Sequence, residues 1–231
     1  MSEKKDSAPN MGLRMQADGA YVKTEGFTEG RSAVARVLLD DCQLEADDRL
    51  GVPAGIWGFI DTAGTEVIAP QYLYSSWFEN RVAIVAKGQW VKNPQTGLYG
   101  AAEEKWGGID PQGNTQIPFV FDDIQHFSQE NGRYIAHFGG WEAGGWGVID
   151  RQGNWLMPPR FHSIFGDCTC RWIAFCNGDM ENPLLGLYDI KKRQTAFAPQ
   201  FEDVEFGEQG EVFALCPHDE IYRKIADANT K

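Results

Sequence analysis

Trp-Gly recurs in this chain at the head of one short motif, and that recurrence limits the possible folds more than any other feature. Trp57-Gly58-Phe59-Ile60-Asp61 is followed by Gly64, Val67-Ile68, Pro70 and Tyr72. Trp106-Gly107-Gly108-Ile109-Asp110 is followed by Gly113, Ile117-Pro118 and Phe121, and Trp146-Gly147-Val148-Ile149-Asp150 by Gly153, Met157-Pro158-Pro159 and Phe161. A degenerate fourth copy reads Leu185-Gly186-Leu187-Tyr188-Asp189, with Ala198-Pro199-Gln200-Phe201 downstream. The copies start 49, 40 and 39 residues apart. A period of this size marks one supersecondary unit repeated along a chain.

Each copy has a second half, in which an aromatic is followed by Phe and then by an apolar run containing Ala. The landmarks are Tyr72, Phe78 and Ala83; Phe121, Phe127 and Ala136; Phe161, Phe165 and Ala174; and Phe201, Phe206 and Ala214. The same half appears near the start as Tyr21, Phe27 and Ala33, so five second halves accompany four Trp-Gly hairpins. Alternating large side chains in Trp-Gly-Phe-Ile-Asp predict a short strand with one buried face. Asp-x-x-Gly is turn chemistry, because the carboxylate accepts backbone N–H bonds and glycine takes the left-handed conformation. A return strand follows, ended or pushed to an edge by proline, which has no N–H for a ladder. The run around Ala makes a third strand.

The pattern resembles the bacterial WG (KWG) β-repeat family, over about Tyr21 to Cys216. The resemblance implies an all-β chain of three-stranded antiparallel meander modules, each burying its apolar face against its neighbours. The expected stack is an open β-solenoid, with a closed, propeller-like ring as the alternative. The domain reading is a disordered N-terminus over 1–11, one WG-type repeat domain over 12–216, and a helix or tail over 217–231. Ile221 and Ile225, four apart, predict a short C-terminal helix capping the last module. Asp61, Asp110, Asp150 and Asp189 resemble a carboxylate set, but their common place before a turn assigns them to structure. Repetition likewise assigns Trp57, Trp106 and Trp146 to packing.

Charge narrows function. The chain has 33 acidic and 21 basic residues, a net charge of −12. Proteins that grip nucleic acid do so by neutralising phosphate with Lys and Arg, so this balance argues against nucleic acid and suits a basic partner. No run reaches the roughly 20 apolar residues that span a bilayer, and the polar start shows no secretory h-region. A cytoplasmic location and no membrane association are therefore expected, and five cysteines, an odd number, fit reduced thiols. Cys168-Thr-Cys170 with Cys176 and His162 hints at a metal, but the spacing is not that of a zinc knuckle, and Cys176 stands where other copies carry Ala35, Val85, Phe138 or Cys216. His126, His137, His162 and His218 fall into no catalytic motif, and alternation points His137 to solvent. No catalytic residue, cofactor site or metal site is expected.

Function is then sought where the repeat is broken. One insertion, Leu38 to Leu50, carries Asp40, Asp41, Glu45, Asp47 and Asp48. A second, Lys87 to Lys105, places Trp90 and Tyr99 outside the repeat register, either as interface anchors or folded back on the sheet. The last module carries Glu202, Asp203, Glu205, Glu208 and Glu211 without Lys or Arg between them, and Asp122 and Asp123 occupy the positions of Glu202 and Asp203. These residues form the expected partner-binding set. The expected function is non-enzymatic binding of a basic protein, in its concrete form an immunity or inhibitor protein that neutralises a basic bacterial toxin. The alternative is a small-molecule or glycan sensor using loop aromatics.

Overall fold

A computed structural model describes residues 21–24, 26–37, 55–128, 132–165, 171–178, 183–217, 219 and 221–227. Among these the chain is all-β, with nineteen strands in five antiparallel sheets and no helix. The first sheet joins β1 (Tyr21–Thr24), β2 (Arg31–Val37), β3 (Gly55–Asp61) and β4 (Glu66–Tyr72). The second joins β5 (Tyr74–Ser75), β6 (Ala83–Lys92), β7 (Tyr99–Ile109) and β8 (Thr115–Phe121). The third is β9 (Asp123–Ser128), β10 (Arg133–Phe138), β11 (Gly145–Ile149) and β12 (Trp155–Phe161), and the fourth β13 (Ser163–Phe165), β14 (Trp172–Cys176), β15 (Leu185–Asp189) and β16 (Gln194–Phe201). The fifth holds β17 (Asp203–Phe206), β18 (Val212–Leu215) and β19 (Arg223–Ala226). All are meanders, with strands hydrogen-bonded in chain order.

The first four sheets hold one strand more than the three read per module, and the physical sheet is offset from the sequence repeat. Each is built from the second half of one copy followed by the Trp-Gly hairpin of the next. A single residue joins one sheet to its successor and already donates to the second strand of the new one. Leu73 N–H donates to Ala86 O at 2.8 Å, Asp122 to His137 at 2.9 Å, His162 to Cys176 at 3.1 Å and Glu202 to Leu215 at 2.8 Å.

The Trp-Gly signature has a steric origin. Trp57 pairs with Tyr72 but Phe59 with Ile68, so two steps along β3 span four along β4. The same bulge separates Trp146–Phe161 from Val148–Met157, and Leu185–Phe201 from Leu187–Phe197. The bulged backbone crosses directly over the glycine. A Cβ at Gly58 would lie 2.4 Å from Ile68 O, and one at Gly147 2.5 Å from Met157 O. Pro70 and Pro158 stand in the bulge on an edge strand, where no ladder donor is required.

The chain divides into two compact units, Met1–Phe119 and Val120–Lys231. In the first, Ala33, Ala35, Trp57, Phe59, Ile68 and Tyr72 of the first sheet pack on Phe78, Ala83, Val85 and Ile109 of the second. In the second unit, Val148, Met157 and Phe161 pack on Ile173, Phe175 and Tyr188, and Leu185, Cys176 and Phe201 pack on Ala214. Burying each of the larger side chains contributes about 1.5–3 kcal/mol, which is what an isolated meander lacks.

The expected C-terminal helix is replaced by β19. Ile221 is 73% exposed, so the two isoleucines do not share an apolar stripe. Ile225 packs against the cluster of Trp172, Leu187 and Val212, while Val212 pairs with Ala226 and Ala214 with Arg223. The N–H and C=O groups of β18 need partners on this side, where the other sheets have a Trp-Gly strand. A ladder satisfies them and a helix would not.

Candidate binding surfaces

The repeated aspartates serve the turns. Asp61 Oδ1 accepts the N–H groups of Ala63 and Thr65, both at 2.9 Å. Asp110 does the same for Gln112 and Asn114, and Asp150 for Gln152 and Asn154. Burial pushes the Asp110 carboxyl up, but hydrogen bonds from Asn114, Gln112 and Gln116 outweigh this and hold it below the usual carboxylate range. Asp189 keeps the place but changes partners, accepting Lys192 N–H at 3.1 Å and Arg171 Nε–H at 2.9 Å.

The second insertion is a hairpin extension of β6 and β7. Ladder pairing continues through Trp90–Ala101 to Lys92–Tyr99, with Asn93 closing the turn through Gln95 N–H at 2.9 Å. Trp90 folds back on the sheet: its ring meets Tyr74 edge-on at 5.7 Å, and Tyr74 stacks on Trp106 at 5.6 Å. Trp106 Nε1–H donates to Glu104 at 2.5 Å. Tyr99 is half-buried with Lys92 Nζ 5.7 Å from its centroid. The first insertion, with Asp40, Asp41, Glu45, Asp47 and Asp48, lies outside the described residues, as do residues 1–11, Cys168, Cys170 and His218.

The remaining carboxylates divide into two groups. Asp123 is buried and accepts Gln125 Nε2–H at 3.1 Å, and Asp122 Oδ2 accepts Gly140 N–H at 2.8 Å. Asp203 accepts Tyr222 Oη–H at 2.5 Å, which with slight burial pushes the phenol up to about 12. Glu211 takes Gln209 N–H at 3.1 Å across the β17–β18 turn. Glu202, Glu205 and Glu208 stand exposed on or beside the edge strand β17.

Sequence reasoning placed His137 in solvent, and the structure corrects this. The imidazole is 4% exposed, because Trp141 from the β10–β11 turn stacks on it at 4.4 Å and Trp146 meets it edge-on at 5.1 Å. Trp141 and Trp77 were missed. They lie outside the Trp-Gly register, as Trp90 does, and that was the available signal. Both are largely exposed. Cys176 is buried against Leu185, Phe201 and Ala214, and His162 is exposed.

The model of the WG-containing repeat matches residues 57–90, 106–140 and 146–167. The chain carries three WG repeats. No protein of curated function matches it in sequence. Among solved structures, the tricorn protease aligns with 90% of the chain at 11% identity and a TM-score of 0.26. The chain spans about a quarter (26%) of that protein's length. Beyond residue 167 the WG-repeat protein departs from its consensus. Its fourth sheet replaces the Trp with Leu185 and adds the buried Arg171–Asp189 ion pair, whose side chains are 9% and 1% exposed.

Proposed function

We propose that this WG-repeat protein acts by binding another protein and carries out no chemistry of its own. The partner is basic, and the concrete form of the proposal is a cytoplasmic immunity or inhibitor protein that neutralises a basic bacterial toxin by covering its active site. One observation carries this reading: Glu202, Glu205 and Glu208 are exposed along the edge of the fifth sheet, with no Lys or Arg between residues 202 and 211. In a chain of net charge −12 such a surface steers a cationic partner and disfavours acidic ones. The scaffold supports the same reading, because Asp61, Asp110 and Asp150 are committed to turns.

The experiment is affinity capture from the native host with two baits, the wild-type chain and Glu202→Lys/Glu205→Lys/Glu208→Lys. A Lys- and Arg-rich protein should be retained by the first, released by salt and lost from the second, and its toxicity should fall when the wild-type chain is added. An acidic partner, or equal retention by both baits, would sink the proposal. A gene for a toxin-like product beside this one is the cheapest supporting observation. A second reading, a glycan or small-molecule sensor, is favoured by Trp77, whose indole is 45% exposed. Stabilisation of the chain by sugars or nucleotides in a thermal-shift screen distinguishes it.

A further inference from the structure

We infer that the exposed face of Trp141 is an anchor for an arginine side chain of the basic partner, an inference that rests on the reading above. The geometry begins with the turn. Residues 139–144 read Gly-Gly-Trp-Glu-Ala-Gly, and the first two glycines have φ of 101° and 81°. A Cβ at Gly144 would lie 2.4 Å from Phe138 O and 2.5 Å from Gly140 O, so the turn closes only with glycine there. Gly144 N–H donates to Gly140 O at 2.7 Å, and Gly140 N–H to Asp122 Oδ2 at 2.8 Å. The loop is thereby fixed at both ends.

The fixed loop lays one face of the indole on His137, with ring planes 12° apart, and sets Trp146 at 66° to it with centroids 6.2 Å apart. Trp141 is nevertheless 59% exposed, which leaves its other face to water. An indole held this way loses little freedom when a partner covers it, which is the property of an interface anchor.

The surroundings select a cation. Asp122 lies beneath the turn, its Oδ2 3.6 Å from His137 Nδ1, which is itself buried without a hydrogen-bond partner. Glu142, the next residue in the turn, is exposed, and the turn contains no Lys or Arg. Guanidinium stacks on indole faces and pairs with carboxylate in one approach. A sugar would need several in-plane hydrogen-bonding side chains, and apart from the indole N–H the turn offers Glu142 alone.

The test is a titration of the full-length isotope-labelled chain, followed through its indole N–H resonances, with the Trp141 signal identified by its loss in Trp141→Phe. The probes are acetyl-Gly-Arg-Gly-amide, the same peptide with neutral citrulline in place of Arg, and cello- and chito-oligosaccharides. The Trp141 resonance should move saturably with the Arg peptide, with a dissociation constant on the order of millimolar. Binding should weaken with salt and fall about two- to fivefold in Glu142→Gln, whose exposed site leaves the melting temperature unchanged. No movement, equal movement with citrulline, or movement with a sugar alone would overturn the inference and leave Trp141 as a cover for His137. Once a partner is captured, a Trp141→Ala bait separates the two proposals. A basic partner retained undiminished by that bait refutes the anchor and spares the basic-partner reading. Capture of an acidic partner refutes the reading, while the peptide titration still decides the anchor.

Discussion

At the residue scale, Asp189 shows how one position in a repeat can be reassigned. In three copies its equivalent holds a turn in solvent, and in the fourth it is buried under Arg171, which also lies 4.5 Å from the Trp172 ring. Burial pushes the Asp189 carboxyl up, but the hydrogen bonds from Arg171 and Lys192 outweigh it and hold the group below the usual carboxylate range. A carboxyl lowered in the folded state stabilises the fold above its ordinary value, and that contribution is lost as the pH falls through the folded one. Replacing Arg171 with Met strands a buried carboxylate and should cost about 3–5 kcal/mol near neutrality. Urea unfolding across pH should show the gap between wild type and Arg171→Met narrowing on acidification, as first the stranded carboxyl of the variant and then the paired carboxyl of the wild type become neutral. A gap that widens there would refute the assignment. The sequence showed that Asp189 belongs to the repeat. It could not show the ion pair, because Arg171 matches no consensus position and its partner is 18 residues away.

At the level of the elements, the Trp-Gly hairpin was the most legible part of the chain, since turn chemistry and alternation are local. What alternation could not reveal was the bulge that makes glycine obligatory. Gly147→Ala brings a methyl against Met157 O and the Trp155 ring, both within 2.6 Å, and should destabilise the third sheet by about 1–3 kcal/mol. Chemical denaturation checks this, and a loss under a few tenths of a kcal/mol would mean the bulge yields. In sequence the C-terminal segment reads as helix, because a four-residue spacing is all that so short a piece offers. The unpaired side of β18 decided otherwise, a tertiary demand that no local pattern carries. His137 was misplaced for a related reason. Strand alternation gave its side of the sheet correctly enough, but Trp141 arrives from a glycine-rich turn to cover that side. The exposed Glu202, Glu205 and Glu208 were legible from charge alone, whereas the engagement of Asp122, Asp123 and Asp203 required coordinates.

For the whole molecule, stability is shared between neighbouring sheets and falls off beyond them. Leu187 is fully buried where the fourth sheet meets the fifth, in the cluster with Trp172, Val212 and Ala226. Leu187→Ala should cost about 2–5 kcal/mol and raise amide exchange in β14 to β19, while β2, β3, β6 and β7 keep their protection. Exchange that rises evenly along the chain would show instead a single cooperative block. Each complete sheet takes its first two strands from one sequence repeat and its last two from the next. During synthesis a repeat that has left the ribosome has therefore finished its predecessor's sheet and only begun its own. Half a sheet stays open at the growing end until the following Trp-Gly hairpin emerges, and a pause in translation just before such a hairpin would leave the edge of the Ala-containing strand exposed to the wrong partner.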